Sequence, residues 1–381
     1  MIVVIADDIT GAAEMGGIAL RYDLSVIVAD DLMESDKYEV IVIYTNTRSQ
    51  TEQQAAETMA SLSAKASKFK PSLFYKKTDS VLRGHVLAEM NAQMKAMNLT
   101  KGLLVPINPS SARVIRNGHY YINEQQIHDT SFAIDPEFPI SSSKVEKMLG
   151  TNEIPVKVIR RNEQPIANGI NVGEAESETD LEQWADFADN TFLLAGGGSF
   201  FNALLSKRFE VSSVPKTPFG TAPVEGLVCM ISGTTFTKNV IRIRGYSAIV
   251  SYMPPNIFNA VDIDENEFDS WFSDVKGILQ QHKKVIIAID NRKSQKADSQ
   301  SLGLKLAEIA KRIVERTEIS ELMIEGGATA YAITRKLGWH SFIPQQELAQ
   351  GILRMQVVGG NEIHLTIKPG SYEWPAQWKF N

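Results

Sequence analysis

Two adjacent aspartates end the first apolar run of the chain. Asp7 and Asp8 directly follow MIVVIA, and Thr10 and Gly11 come next, in the segment ADDITGA. Parallel sheets bind ligands at the carboxyl ends of their strands, where a carboxylate can accept hydrogen bonds from hydroxyl groups or act as a general base. Asp8 could instead cap the helix that follows, but capping needs only one aspartate. The pair therefore favours a binding site.

A second group of polar residues ends another strand, in FYKKTDSVLRGH at 74–85. It contains Lys76, Lys77, Asp79 and Arg83. The forked guanidinium group of an arginine, with one or two ammonium groups beside it, suits a small carboxylate or phosphate. The alternative is structural, with Asp79 as a helix cap and Arg83 in a surface ion pair. The carboxylates at the first strand end favour the ligand interpretation.

Three glycine-bearing turns occur in the second half of the chain. They are ISGTT at 231–235, EGGATA at 325–330 and KPGSY at 368–372. The first two follow an apolar strand and precede a predicted helix, so that backbone N–H groups and the helix dipole are available to a phosphate. None matches the Walker pattern. A single turn of this kind is weakly specific, but three in one half favour a nucleotide.

Several other classes of function find no support in the sequence. The Gly-x-Gly step of a dinucleotide fingerprint is missing after Asp8, and GGGSF at 196–200 resembles the elbow of a serine hydrolase only in composition. No histidine or cysteine spacing indicates a metal site, and Cys229 in GLVCMI is typical of a small core residue. The net charge of −6 argues against a nucleic-acid partner. Since no apolar stretch approaches the roughly 20 residues that cross a bilayer, we expect no membrane partner and a cytoplasmic protein.

The elements around these motifs alternate between short apolar runs and amphipathic stretches. Apolar strands such as MIVVIA and YEVIVIY need cover on both faces, which predicts an α/β fold with largely parallel sheets. RVIRNGHYYINEQQIHD at 113–129 predicts an antiparallel hairpin inserted in the first domain. A chain of 381 residues is too long for one small core. We expect a first domain at 1–210, a linker rich in Pro, Ser and Gly at 211–223, a second domain at 224–381, and a ligand cleft between the domains.

Together these motifs resemble a known family, the four-carbon acid sugar kinases, which include D-threonate, D-erythronate and 3-oxo-tetronate kinases. ADDITGA resembles the amino-terminal ADDLTGA signature of the family, and KKTDSVLRG at 76–84 resembles its K-x-DSTLRG segment. The three glycine turns occur in the order of the family's nucleotide elements. The chain departs from the pattern at several positions, among them Val81, His85 and Ala328.

The resemblance implies a two-domain kinase that phosphorylates the terminal hydroxyl of a four-carbon sugar acid, with ATP and Mg²⁺ as cofactors. The first domain would bind the sugar acid and the second the nucleotide, and the family and chain size suggest a homodimer. Carried over residue by residue, the sugar-acid site takes Asp7, Asp8, Thr10, Gly11, Lys76, Lys77, Asp79 and Arg83, and the nucleotide site takes Ser232, Gly326, Gly327, Thr329 and Gly370.

Phosphoryl transfer depends mainly on alignment of the reactants and neutralisation of charge. We therefore expect Arg83, with Lys76 or Lys77, to bind the substrate carboxylate. Asp7 or Asp8 would accept hydrogen bonds from the substrate hydroxyls.

The proton acceptor and the reaction class stay open at this point. Asp8 is the first choice for the general base and Asp79 the second. A sugar-acid binding protein without turnover is one alternative. A hydroxy-acid dehydrogenase or isomerase is another, although it should show a dinucleotide fingerprint or a metal-ligand cluster.

Overall fold

The computed structural model describes most of the chain, in two compact units. The described residues are 1–33, 36–135, 137–150, 153–210, 225–233, 242–290, 299–360 and 362–374. The units comprise Met1–Pro215 and Lys216–Asn381. The linker predicted at 211–223 lies outside the described residues.

Parallel strands form the main sheet of the first unit. In chain order the strands of this unit are β1 (Ile2–Ala6), β2 (Val26–Ala29), β3 (Val40–Tyr44), β4 (Leu73–Lys77), β5 (Lys101–Val105), β6 (Arg113–Arg116), β7 (His119–Ile122), β8 (Gln125–Gln126), β9 (Val156–Ile159), β10 (Gly169–Gly173) and β11 (Phe192–Gly196). The spatial order of the sheet is β2-β3-β1-β4-β11-β5-β10-β9, with parallel pairing between neighbours. Since β3 and β4 flank β1, the strand order reverses there, and such switch points open a crevice at the carboxyl ends of the strands.

Helices cover both faces of this sheet. They are α1 (Ile9–Leu20), α2 (Glu52–Ser67), α3 (Val86–Ala96), α4 (Val145–Leu149), α5 (Glu178–Phe187) and α6 (Gly198–Ser206). Consecutive side chains of a strand point to opposite faces. On β4, Tyr75 packs against the rings of Phe200 and Phe201 in α6, whereas Lys76 pairs with Glu89 in α3. Helices α6 and α3 therefore lie on opposite faces, which explains why β1 and β3 are buried along their whole length.

The insertion predicted at 113–129 is a separate antiparallel sheet of β6, β7 and β8. Arg116 pairs with His119 across the first turn, and the two turn residues Asn117 and Gly118 have φ angles of +50° and +75°. A two-residue hairpin turn of type I′ requires positive φ at both positions, which asparagine and glycine tolerate best. The α/β class, the parallel sheet and the antiparallel insertion are thus confirmed.

The second unit contains seven of the described strands. Its strands are β12 (Leu227–Ser232), β13 (Val250–Tyr252), β14 (Lys284–Ala288), β15 (Ile319–Glu325), β16 (Ser341–Ala349), β17 (Ile352–Val357) and β18 (His364–Lys368). The spatial order is β13-β14-β12-β15-β18-β17-β16. Pairing is parallel from β13 through β18 and antiparallel at β17 and β16. The carboxyl ends of β12, β15 and β18 therefore lie side by side.

The described helices of the second unit are α7 (Pro255–Asn259), α8 (Glu265–His282), α9 (Ser299–Arg316) and α10 (Gly327–Leu337). Helix α8 begins at an Asp264 cap that accepts from the backbone of Asn266 and Glu267. Helix α8 and the antiparallel pair β16–β17 were not among the predicted elements. The helix predicted at 234–244 lies mostly outside the described residues.

Two further features of the described residues bear on the sequence expectations. Cys229 is fully buried in β12, and burial raises the pKa of its thiol, as expected of a core residue. Among the helices that the structure describes, none is both long and apolar enough to cross a membrane.

Candidate functional site

Arg48 joins the two aspartates at the end of β1. It lies in a short 3₁₀ turn after β3, the strand beside β1. Its Nε donates to Asp7 Oδ2 at 2.8 Å and its Nη2 to Asp7 Oδ1 at 2.9 Å, while its Nη1 donates to Asp8 Oδ2 at 3.0 Å. One guanidinium group thus binds both carboxylates, and its planar fork fits the carboxylate of Asp7 with two parallel bonds.

Asp8 also caps helix α1. Its Oδ1 accepts from the backbone N–H of Gly11 at 2.7 Å, and its Oδ2 accepts from the Thr10 hydroxyl at 2.6 Å. A Cβ atom at Gly11 would lie 2.7 Å from Asp8 Oδ1, so a larger residue there would require the carboxylate to shift. Capping and membership of a charged site, which the sequence presented as alternatives, occur together.

Asp79 and Arg83 form a second forked pair after β4. Arg83 Nε lies 2.9 Å from Asp79 Oδ2, and Nη2 lies 3.0 Å from Oδ1. Asp79 Oδ2 also accepts from the backbone N–H groups of Val81 and Arg83, which closes a turn, whereas helix α3 begins only at Val86. Asp79 is therefore not a helix cap. Arg48 Nη1 lies 3.9 Å from Asp79 Oδ1 and connects the two forked pairs.

The two lysines of β4 point to opposite faces and have different partners. Lys77 Nζ lies 3.2 Å from Glu14 Oε2 in α1, on the face that carries Asp8. Lys76 Nζ lies 2.6 Å from Glu89 Oε2 in α3, and both of these side chains are almost completely buried. The structure thus brings Lys77 to the site and leaves Lys76 in the core.

We call this set the strand-end cluster. It comprises the carboxylates Asp7, Asp8, Glu14, Asp79 and Asp135 and the cations Arg48, Lys77 and Arg83. Glycines permit its density, because a Cβ atom at Gly84 would lie 3.2 Å from Arg48 Cγ and one at Gly198 would lie 2.5 Å from Glu14 Oε1. Strands β1, β3 and β4 supply most of its members directly after their carboxyl ends, as expected at a switch point.

Mutual pairing keeps Asp7, Lys77 and Asp79 charged. Burial alone would raise the pKa of Asp7, but the positive charges of Arg48, Lys76 and Lys77 together with the Arg48 hydrogen bonds lower it below the usual value. Burial acts in the same direction on Asp79, and the charges of Arg83 and Arg48 hold its pKa well below the usual range. Burial would lower the pKa of Lys77, but Glu14 and the aspartates raise it. These three groups and the two arginines are therefore preorganised charges at neutral pH.

Three members of the cluster escaped the sequence analysis. Arg48 stands in NTRSQ, after YEVIVIY, and its position at a strand end was the available signal. Glu14 lies within a helix that otherwise contains no charged residue. Asp135 is 52 residues from Arg83 and lies in a loop, so no local pattern connects the two.

Described residues of the three glycine turns meet at a buried carboxylate at the end of β15, whereas positions 234 and 235 of the first turn lie outside the described residues. Glu325 accepts from the Ser232 hydroxyl at 2.5 Å and from Arg242 Nη2 at 3.2 Å, and lies 2.9 Å from Lys368 Nζ. The backbone N–H of Gly326 donates to Lys368 O at 2.9 Å. The ends of β12, β15 and β18 are therefore fixed to one another through Glu325 and Lys368.

Helix α10 begins at these turns without a side-chain cap. Its N-cap is Gly326, whose φ of +107° excludes most other residues, and Gly327 is the first helical residue. Thr329 is buried in the first turn, and a Cβ atom at Gly233 would lie only 1.9 Å from its Oγ1. The uncapped N–H groups of the first turn are available to an anion. Gly370 lies in the turn after β18, near the bond from Tyr372 N to Pro369 O.

The metal-ligating side chains among the described residues do not form a preformed metal site. No group of three or more His, Cys, Asp or Glu side chains among them is arranged to hold a metal ion. Glu325 is completely buried and already paired with Lys368, so it does not fit the role of a free metal ligand.

Comparison with family models matches both halves of the chain. A sugar-binding N-terminal domain matches residues 2–204, which is more than half of the 381 residues, and a nucleotide-binding C-terminal domain matches residues 244–372. The strand-end cluster lies within the first match and the Glu325 region within the second.

Curated relatives match over nearly their whole length. The D-threonate kinase of Salmonella typhimurium is 27% identical, with 91% of this chain and 89% of the relative covered. The D-erythronate kinase of Heliobacterium modesticaldum is 22% identical, with 94% and 90% covered. The 3-oxo-tetronate kinase of Actinobacillus succinogenes is 20% identical, with 98% and 96% covered.

Solved structures share the fold. A Salmonella typhimurium protein described as a putative tRNA synthase has a TM-score of 0.78 at 16% identity and covers 99% of this chain and 97% of its own. A Haemophilus influenzae protein of the DUF1537 family has a TM-score of 0.70 at 17% identity, with 99% and 98% covered. From the motifs, the charged strand ends and the matches to both domains, we conclude that this chain belongs to the family of four-carbon acid sugar kinases.

Proposed function

We propose that the protein transfers the γ-phosphoryl group of ATP to the terminal hydroxyl of a four-carbon sugar acid of the threonate, erythronate or 3-oxo-tetronate type. Family membership and the names of the relatives support a kinase acting on such an acid. The observation that carries the proposal is the strand-end cluster, where arginine forks and aspartates lie together within the sugar-binding match.

The cluster supplies both kinds of group that a hydroxy acid needs. Arg83 and Lys77 are the cations proposed for the substrate carboxylate, and Asp7 and Asp8 are the acceptors proposed for its hydroxyls. Lys76 has no part in this proposal, because its ammonium group is buried against Glu89.

Asp8 is the proposed general base. Asp7 and Asp79 each use both carboxylate oxygens on one arginine, which holds them as anions of low basicity. Asp8 accepts a single bond from Arg48 and is less buried than Asp7. Arg48 is the proposed positioning residue that fixes Asp8 beside Asp7, while Thr10 and Gly11 set the direction of its carboxylate.

The second unit supplies the proposed nucleotide site. The uncapped start of α10, at Gly326 and Gly327, offers backbone N–H groups to the phosphates. Thr329 adds a hydroxyl in the same turn, and Ser232 and Gly370 contribute from the ends of β12 and β18. In this assignment the phosphates are bound by backbone N–H groups, so the lysine of a Walker motif is not required.

Mg²⁺ is proposed as the partner of ATP. In kinases this ion is held mainly by the substrate phosphates and by water, so it would not need a dedicated protein cage here. Its chemistry would be to neutralise charge on the phosphates. A homodimer and a cytoplasmic location stay predictions.

The proposal is tested by incubating the protein with ATP, Mg²⁺ and a panel of D-threonate, L-threonate, D-erythronate and 3-oxo-tetronate. We expect ADP release with at least one acid and a product whose phosphate NMR signal couples to the terminal CH₂. Binding of an acid without ADP release would favour a binding protein, and cofactor reduction with NAD would favour a dehydrogenase. Absence of ADP with every acid would overturn the proposal.

A further inference from the structure

Arg83 is bound by carboxylates from two different parts of the fold. Its Nε and Nη2 donate to the two carboxylate oxygens of Asp79, four residues earlier in the same turn. Its Nη1 lies 2.9 Å from Oδ2 of Asp135, which belongs to a loop beyond the inserted sheet. Two nitrogens of Arg83 therefore bind Asp79, which is close in sequence. The third binds Asp135, which is distant in sequence.

We define the Asp135 loop as residues 131–135 and 137–140. It begins with a 3₁₀ turn, Ser131–Ile134, and the N–H of Ile140 closes it onto Phe132 O at 3.0 Å. Asp135 Oδ1 accepts from the backbone N–H groups of Glu137 and Phe138, at 3.1 and 2.9 Å. One oxygen of Asp135 thus shapes its own loop, and the other is directed at Arg83.

Aromatic contacts hold this loop against the cluster. The Phe132 ring lies under the guanidinium groups of Arg83 and Arg113, with centroid distances of 5.5 and 5.7 Å. Phe138 contacts the His85 ring edge-on at 6.0 Å. These contacts place the loop over Arg83 without filling the loop's outer side, where Ile134 is 83% exposed.

We propose that Asp135 is a specificity-determining residue, an internal carboxylate that occupies Arg83 in the free protein and is replaced by the carboxylate of the acid substrate. This inference rests on the proposed function, because it assigns to Arg83 the carboxylate of a sugar acid. The exchange forms and breaks ion pairs only, so charge on the arginine stays balanced throughout.

The exchange would let the site discriminate hydroxy acids from polyols and from simple anions. A four-carbon polyol has no carboxylate and cannot replace Asp135 on Arg83. A simple anion such as acetate can compete for Arg83, but it has no hydroxyls that could bind Asp7 and Asp8. Its binding therefore includes no further interaction that compensates for breaking the ion pair between Asp135 and Arg83. Only a ligand with both kinds of group overcomes the competing carboxylate, which is specificity by an opposing interaction.

The test compares Asp135→Asn with the wild type and with Glu137→Gln. The asparagine oxygen can still accept from the N–H groups of Glu137 and Phe138, so the loop turn is kept while the charge facing Arg83 is removed. Glu137 is exposed in the same loop and serves as the matched control for loss of one negative charge. Dissociation constants are measured by calorimetry for D-threonate and D-erythronate, with erythritol as the polyol lacking the carboxylate.

We expect the dissociation constant of Asp135→Asn for the acid substrate to be about five-fold lower than that of the wild type. The reason is that the acid no longer has to break the ion pair between Asp135 and Arg83. Erythritol binding and the Glu137→Gln variant should be unchanged within two-fold. Weaker or equal acid binding by Asp135→Asn would overturn the proposal and make Asp135 a fixed support of Arg83.

A second measurement uses the wild-type protein and does not depend on the variant. Release of Asp135 from Arg83 should speed hydrogen exchange at the amides of Glu137 and Phe138 when D-threonate is added. Slower or unchanged hydrogen exchange in the presence of bound acid would contradict the replacement of Asp135 on Arg83.

The outcomes distinguish this proposal from the proposed function. If the wild type phosphorylates a sugar acid and either test of Asp135 is negative, the kinase function stands and only the role of Asp135 falls. If no acid is phosphorylated or bound, both proposals fall.

Discussion

The guanidinium group of Arg48 binds the carboxylate of Asp7 through two parallel hydrogen bonds, 2.8 and 2.9 Å long. The pair joins the ends of neighbouring strands β1 and β3, and the same arginine reaches Asp8. Arg48 is thus the centre of the strand-end cluster, because it contacts carboxylates that follow both β1 and β4.

Removal of Arg48 should unfold the protein more easily and abolish turnover. We expect Arg48→Ala to lower the free energy of unfolding by about 3 kcal/mol, because Asp7 would stay buried without its partner. Arg48→Lys should recover only part of this, since an ammonium group cannot form the parallel pair. Urea unfolding of both variants checks this. Arg160→Ala, an exposed arginine paired with Glu174, is the control and should change stability by less than about 0.5 kcal/mol.

Asp8→Asn separates the helix cap from the proposed chemistry. The asparagine oxygen can still cap helix α1, but the amide group replaces the oxygen that accepts from Arg48 Nη1, so we expect the free energy of unfolding to fall by about 1.5 kcal/mol. Loss of the proposed base should lower kcat by about 10²- to 10⁴-fold with a smaller change in KM. Steady-state kinetics and urea unfolding of the same preparation give both numbers. A normal kcat would remove Asp8 from the mechanism and turn attention to Asp79.

The two lysines of β4 should respond differently to replacement by methionine. Lys76→Met leaves the Glu89 carboxylate buried without a partner and should cost about 3 kcal/mol of stability, which Lys76→Met/Glu89→Leu should largely restore. The double variant should have a normal KM for the acid. Lys77→Met should raise that KM by about ten-fold, because a charge-assisted bond is lost. A raised KM in the Lys76 double variant would contradict the separation of the two roles.

Gly233→Ala tests the close packing of the glycine turns. The added Cβ would overlap Thr329 Oγ1, so we expect a loss of about 2 kcal/mol in stability and a higher KM for ATP. Thr329→Ala in the same chain should relieve the overlap. Gly277→Ala, where the Cβ meets open space in α8, is the control and should gain about 0.5 to 1 kcal/mol. Equal thermal stability of both single variants would refute this account of the turn.

Acid should weaken the Asp79–Arg83 pair. The pKa of Asp79 in the folded protein lies below its unfolded value, so the unfolded chain takes up the proton first as the pH falls below about 4. The stability that Asp79 contributes is complete above that pH and is lost below it. The difference in unfolding free energy between wild type and Asp79→Asn should therefore be largest at pH 7 and smaller at pH 3. A difference that is constant over this range would count against the pair.

The sequence predicted those features that depend on local pattern. Apolar runs identified β1, β3 and β4, and Asn117–Gly118 identified the inserted hairpin, because turn geometry is a property of a few adjacent residues. The amphipathic helix α8 and the antiparallel pair β16–β17 were missed. Strand β16 carries Pro344 and two register irregularities, which blur the two-residue period.

The site was predictable only where its residues follow strands with recognisable motifs. Asp7, Asp8, Asp79 and Arg83 were predicted in this way, and their side chains lie in one cluster, while their roles stay predictions. Whether a charged side chain faces the site or the core depends on the pleat, which is why Lys76 and Lys77 could not be told apart. Asp135 reaches Arg83 only through tertiary folding, and no property of its own segment signals the contact.

The glycines beside the strand-end cluster limit how this protein can diverge. A side chain at Gly11 or Gly198 would require the carboxylate of Asp8 or Glu14 to shift, so substitution there would disturb the cluster whatever the acceptor. Laboratory evolution of new acceptor preferences is therefore best directed at the periphery of the cluster. The Asp135 loop is the natural place to randomise, because Ile134 and Glu137 are exposed and can vary without disturbing the strand ends.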